Sequence, residues 1–198
     1  MTPRTTNAER SEATRARLLE VARRLFSERG YAGVGTEEIV REARVTRGAL
    51  YHHFGDKRDL FRTVHEGVEQ ELAERIGADL AAGGQEPLDL VRRGVGSFLD
   101  VCTDPAFARI ALVEAPSVLG WAEWREIDAK YGLGLVTFGL ENAMEAGVFR
   151  RQPVKPLAHL LLGAMGEAGM VIANAGDPHT ARAEVEPPLL DLIEGLRA

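Results

Sequence analysis

Cysteine occurs once in these 198 residues, at Cys102, which excludes an internal disulfide and any zinc site built from several thiolates. Lysine is scarce, 3 against 21 arginines, a bias that points to a GC-rich genome more than to a mechanism. Aromatic residues make up only 6 % of the chain, and no run of alternating β-branched residues reads as a strand. The expected fold is therefore all-α. The opening stretch MTPRTTNAERSEATR is polar and carries no secretory leader, so a cytoplasmic location is expected. No phosphate-binding loop, GxSxG turn or metal-spaced histidine cluster is present, and Cys102 has no evident partner histidine. An enzyme is not expected, nor a cofactor, nor a metal. His52 and His53 are adjacent and point about 100° apart on a helix, which rules out a chelate. His65 and Glu69 have chelating spacing but lack a third ligand, and read as a satisfied surface pair.

What is present is an apolar content of 45 %, enough for a core that offsets chain entropy. The net charge of −6 is unevenly placed. Residues 1–62 hold 13 Lys/Arg and 9 Asp/Glu, or +4; residues 63–198 hold 11 and 21, or −10. A basic head on an acidic body suits an end that binds a polyanion and a body that avoids one.

About nine helices are expected. Ser11 caps a first helix carrying Leu18, Leu19, Ala22, Leu25 and Phe26 on one face and ending at Gly30. Thr36 caps a short second helix, 37–43, with Glu37 and Glu38 where the helix dipole favours acids. Arg44, Val45 and Thr46 form a turn into a third helix, Arg47 to Phe54. Asp56 and Asp59 resemble a capping box for a long fourth helix reaching about Ala82. Further helices are expected over 86–103, 105–115, 120–146 and 155–174. Pro187-Pro188 would break a helix begun at 178, so the last regular helix is expected to start there.

The stretch TEEIVREARVTRGALYHHFGDK, residues 36–57, carries the chemistry. Ile39, Val40, Ala43, Val45, Leu50 and Phe54 point at a floor made by the first and fourth helices. The outer face of the third helix then offers Thr46, Arg47, Gly48, Ala49, Tyr51, His52 and His53, with Lys57 beyond and no acid among them. A helix in a DNA major groove needs small residues near base edges, a guanidinium for guanine, and flanking donors for phosphates.

This run, Thr36-x-x-Ile39, Ala43, Val45, Thr46, Arg47-Gly48-Ala49-Leu50-Tyr51-His52-His53-Phe54, Lys57, Asp59-Leu60-Phe61, resembles the helix-turn-helix signature of the TetR family of transcriptional regulators. The resemblance is strong over about residues 11–62. It implies a flexible basic arm at 1–10, a DNA-binding domain at 11–62 with its helix-turn-helix at about 36–54, and a helical effector-binding and dimerisation domain at 63–198. It also implies phosphate contacts from Tyr51, His52 and Lys57, base approach by Thr46, Arg47 and Gly48, and backbone contact from Thr36. The family often has Gly where this chain has Arg44, which adds a phosphate contact or demands a less common turn dihedral. The arm, with Arg4 and Arg10, either tracks the duplex or is a disordered tail. The resemblance implies double-stranded DNA with a near-palindromic operator, a second copy of the chain and a small-molecule effector as partners. It also implies an output that is most often repression.

The body is less specific. Trp124, Tyr131 and Phe138 recur every seven residues on the seventh helix, a stripe that reads as core or as a ligand wall. Phe98, Cys102, Met165 and Met170 are candidates to complete an apolar cavity. Gly132, Gly134 and Gly139 weaken a helix by about 1 kcal/mol each and mark a bend or a close contact. From Leu157 to Ala175 the only charged residue is Glu167; three glycines in that stretch and the lack of another such segment argue against a membrane span. A helix apolar all round must be buried all round. Leu157, Leu161, Ala164, Ala168 and Val171, with Leu189, Leu192, Ile193 and Leu196, are expected to form a two-fold four-helix dimer interface. The competing readings are a helical adaptor that binds only protein, and an enzyme.

Overall fold

The structure, a computed structural model, describes residues 6–84 and 86–198. Among the described residues all nine elements are helical, and the chain divides into two compact units between Glu66 and Gly67.

In the first unit, α1 is Asn7–Arg29, α2 is Thr36–Glu42 and α3 is Arg47–His53; α4, Lys57–Ala82, begins here and continues beyond Glu66. Ser11 is not the cap of α1. Thr6 is: its hydroxyl accepts from Glu9 N while the Glu9 carboxylate accepts from Thr6 N, a full capping box. Residues 7–10 of the expected arm are thus helical, and Arg4 lies outside the described residues. Thr36 is likewise the first helical residue, with Gly35 at the cap position. Asp59 N donates to Asp56 Oδ1 at 2.7 Å, but the Asp59 carboxylate reaches back to Gly55 N, one residue short of a capping box. Apolar faces of all four helices converge. Leu18, Phe26, Ile39, Leu50, Leu60 and Phe61 are fully buried. Phe26, Phe61 and Tyr31 form a triangle of rings, Phe26 and Tyr31 meeting Phe61 edge to face at 5.3 and 5.4 Å and each other at 5.9 Å. Ala43 is buried where its small side chain admits close packing.

The second unit holds the rest of α4 with α5 (Pro87–Cys102), α6 (105–119), α7 (Trp121–Glu145), α8 (Val154–Ala173) and α9 (Pro178–Glu194). α8 is long and apolar enough to cross a membrane by length and composition, yet packs on α5, on α7, on α9 and on the middle of α6. α6 is not a plain helix: between Pro105–Phe107 and Ala115–Leu119 lies a π-helical segment, Ala108–Glu114. In π register the Ala111 carbonyl would need the N–H of residue 116, which is proline. The Trp124 indole supplies that donor at 3.0 Å. α9 runs unbroken through Pro187 and Pro188, against the sequence expectation. Those prolines free the carbonyls of Ala183 and Glu184, and all four residues are exposed, so water satisfies the loss. Arg182 further ties the first half of α9 to Asp100 of α5 at 2.7 Å and to Glu186.

Candidate nucleic-acid interface and body cavity

Thr46 holds the N-cap of α3, its Oγ1 accepting from Ala49 N at 3.1 Å, which leaves its own O–H outward to donate. Arg47, Gly48, Tyr51 and His52 follow on the exposed side of α3, with Ala49 half-buried. Tyr51 is 42 % exposed, so it is not a core aromatic. A Cβ built on Gly48 would come no nearer than 3.9 Å to any neighbour, the Thr46 hydroxyl. Nothing inside the protein therefore demands glycine there, and the space above it is open to an outside surface.

Two features were not foreseen. The face is acid-free along α3 alone, but α2 contributes Glu37, whose Oε1 takes the Arg47 Nη1 at 2.7 Å. Arg47 also lies 5.5 Å from the centre of the Tyr51 ring, so the guanidinium rests between a carboxylate and an aromatic face. The Lys57 ammonium lies 3.9 Å from the Tyr31 ring centre and donates to the carbonyls of Tyr31 and Val34, both at 2.8 Å. Those bonds tie the α1–α2 loop to α4. Arg44 is exposed and has φ +55°, the only non-glycine residue in the left-handed region among the described residues. Of the two readings of Arg44, the unusual dihedral is thus real. Thr36 is half-buried at the start of α2.

The second unit encloses a cavity of about 940 Å³ including its mouth, walled by α4, α5, α7, α8 and Ile193 of α9. Phe98, Tyr131, Phe138 and Met165 line it as expected residues. Cys102, Trp124 and Met170 stand outside its wall. The Cys102 sulfur packs at the α5–α8 crossing, where a Cβ on Gly169 would come within 3.0 Å of it. Trp124 is buried and committed to the Ala111 carbonyl. Gly132 and Gly139 do line the cavity, and a Cβ on Gly132 would press the Leu162 side chain at 3.0 Å.

Sequence reasoning missed the two acids of this wall, Glu69 and Asp128. His65 and Glu69 are buried, not a surface pair. Burial pushes the His65 imidazole down to about 4, and burial together with Asp128 pushes the Glu69 carboxyl up to about 8. Burial also raises Asp128, to about 6, against the pull of its ion-pair partner Arg125. The signal was legible: Glu69 falls in the stripe Phe61, Val68, Leu72, Ile76, where a core side chain belongs.

On the expected dimer face, Ala168, Leu189 and Ile193 are buried within the unit and Leu161 lines the cavity. Leu157, Ala164 and Leu196 are half-buried. Val171 and Leu192 do face outward, joined by Leu160, which is 71 % exposed. The inward residues are the ones that hold α8 and α9 to each other and to the body.

Comparison with known proteins agrees with this layout. Residues 18–64 match the family "Bacterial regulatory proteins, tetR family", and residues 88–196 match "Tetracyclin repressor-like, C-terminal domain". A solved TetR-family transcriptional regulator from Pectobacterium atrosepticum is 34 % identical, covers 98 % of each chain and superposes with a TM-score of 0.86. The chain belongs to the TetR family. Among curated relatives, the HTH-type transcriptional regulator AcrR of Shigella flexneri is 42 % identical over 84 residues, which is 42 % of this chain and 39 % of that protein. The transposon Tn10 TetC protein of Escherichia coli is 27 % identical over 157 residues, 78 % of each. This TetR-family chain is accordingly a helix-turn-helix, DNA-binding transcriptional regulator.

Proposed function

We propose that the protein is a homodimeric repressor that leaves a near-palindromic operator when a small molecule fills the body cavity. The observation that carries the reading is the outer face of α3, where open space over Gly48 lies between the donors of Thr46, Arg47 and Tyr51. In this reading Thr46, Arg47, Gly48 and Ala49 meet base edges. Thr36, Arg44, Tyr51, His52 and Lys57 hold phosphates. A dimer would set two copies of α3 in successive major grooves, about 34–36 Å apart. Its two-fold contact would use the outward side of α8 and α9, with Leu160, Val171 and Leu192 at its centre. The cavity supports effector control because it is a concave, almost wholly apolar space between helices with three polar groups, Glu69, Asp128 and Tyr131, in its wall. An effector alters operator affinity only if it favours one of two states of the dimer.

A gel shift with fragments of the source genome, followed by release with candidate effectors, tests the reading. Binding that needs α3 and is lost on effector addition supports it. A chain that shifts no fragment and instead retains a protein partner would favour the adaptor reading.

A further inference from the structure

We propose that Glu37 of α2 is a positioning residue for base reading: its carboxylate holds the Arg47 guanidinium for guanine edges and keeps it off the phosphates. This rests on the assignment of Arg47 to base edges above. α2 carries three acids, and two of them serve the fold. Glu38 pairs with Arg29 and Glu42 with Arg24, which ties α2 to α1. Glu37 turns the other way, onto the face of α3, where its Oε1 accepts from Arg47 Nη1 at 2.7 Å. The two side chains are 69 % and 62 % exposed, and an ion pair that exposed adds little to folding stability. The first turn of α2 also holds Glu38, so its helix dipole is answered without Glu37. Folding gives Glu37 little reason to reach α3. Its effect falls on what Arg47 meets outside the protein.

A duplex offers an arginine two kinds of acceptor. Phosphates recur about every 3.4 Å along each strand, are charged, and attract a lone guanidinium whatever the sequence. Guanine O6 and N7 are neutral acceptors, and they carry sequence information. A guanidinium bonded to a carboxylate at 2.7 Å has lost most of the first attraction, and the carboxylate itself repels phosphate. The second attraction survives, because the rigid fork of N–H donors reaches O6 and N7 while one donor stays on Glu37. The Tyr51 ring, 5.5 Å from the guanidinium carbon, supports Arg47 from within α3. The Glu37–Arg47 pair therefore adds selectivity at the expense of general affinity for DNA.

The test is fluorescence anisotropy of the full chain between about 50 and 200 mM salt. The probes are two duplexes of equal length: the sequence enriched from a random library, and alternating dA·dT, which contains no guanine. Glu37→Gln removes the charge at nearly constant size. It should bind the dA·dT duplex several-fold tighter at low salt, with the slope of log K against log salt steeper by about 0.9, the mark of one more neutralised phosphate. Its preference for the enriched duplex should fall about fivefold or more, with thermal stability unchanged. Glu37→Ala, which removes the acceptor as well, should do the same to an equal or greater degree. In an Arg47→Ala background neither substitution should steepen the slope, because the arginine that Glu37 restrains is gone. An unchanged slope for both Glu37 variants, or the same steepening without Arg47, would overturn the role of Glu37 while leaving α3 as the reader. Enrichment of no sequence, or a preference that Arg47→Ala leaves intact, would overturn the base-reading assignment and this inference together.

Discussion

Replacing Arg44 by glycine separates a conformational demand from a chemical one. Arg44 sits between α2 and α3 with φ +55°, where an L side chain crowds its own backbone. That region costs a non-glycine residue about 1–2 kcal/mol. Glycine escapes the penalty but gives the unfolded chain more freedom, which offsets about 0.4–1 kcal/mol. The net expectation for Arg44→Gly is a stabilisation of about 0.5–1 kcal/mol, or a rise in Tm of about 1–4 °C for a chain of this size. Arg44→Ala keeps the strain and should give no such rise. Urea unfolding followed by far-UV circular dichroism, with scanning calorimetry alongside, measures both variants. The arginine head group is exposed, so any phosphate contact it makes is lost equally in the two. Operator affinity should then fall by the same factor for Arg44→Gly and Arg44→Ala, and with a shallower salt dependence. A glycine variant no more stable than the alanine variant would refute the reasoning.

Tyr51→Ala should weaken operator binding through loss of a phosphate anchor, with the circular dichroism spectrum unchanged; equal affinity across a salt titration would contradict it. Arg47→Ala should relax sequence preference, with discrimination of about 1–3 kcal/mol lost at one base pair, read from binding to single-base operator variants. Gly48→Leu, with open space for its side chain inside the protein, should leave thermal stability unchanged or raised while abolishing operator binding. Between about pH 7 and 8 stability should fall as pH rises, because folded Glu69 at about 8 keeps a proton that the unfolded chain, at its ordinary 4.5, has released. The slope has a limit of about 1.4 kcal/mol per pH unit. Folded Asp128 at about 6 and folded His65 at about 4 are past their titration there, and the proton that unfolded His65 still sheds near 6.5 acts in the opposite sense, so Glu69→Gln should remove most of the fall in urea unfolding.

The DNA-binding unit was legible in the sequence because its signals are local. A seven-residue helix with one buried residue, Leu50, has few ways to place Arg47, Gly48 and Tyr51 other than outward. What was not legible depended on neighbours far along the chain. Glu37 reaches the α3 face because α2 crosses it, and Lys57 turns to carbonyls 23 and 26 residues earlier. The π segment of α6 needs Pro116 and the Trp124 indole together, and periodicity reports neither. The prolines of α9 are tolerated because the carbonyls they free face water, a fact of burial that residue type cannot show. Glu69 was misread for the opposite reason. Its apolar stripe was visible, but the pairing with His65 drew it to the surface.

Selection of bound sequences from a random duplex library, with the purified full chain, tests the DNA-reading role of α3 most directly. The account predicts an enriched inverted repeat whose half-sites lie about one helical turn apart. It also predicts that Arg47→Ala and Gly48→Leu lose this enrichment while their folds persist. Enrichment of no sequence at low salt, or the same sequence enriched by both variants, would contradict it.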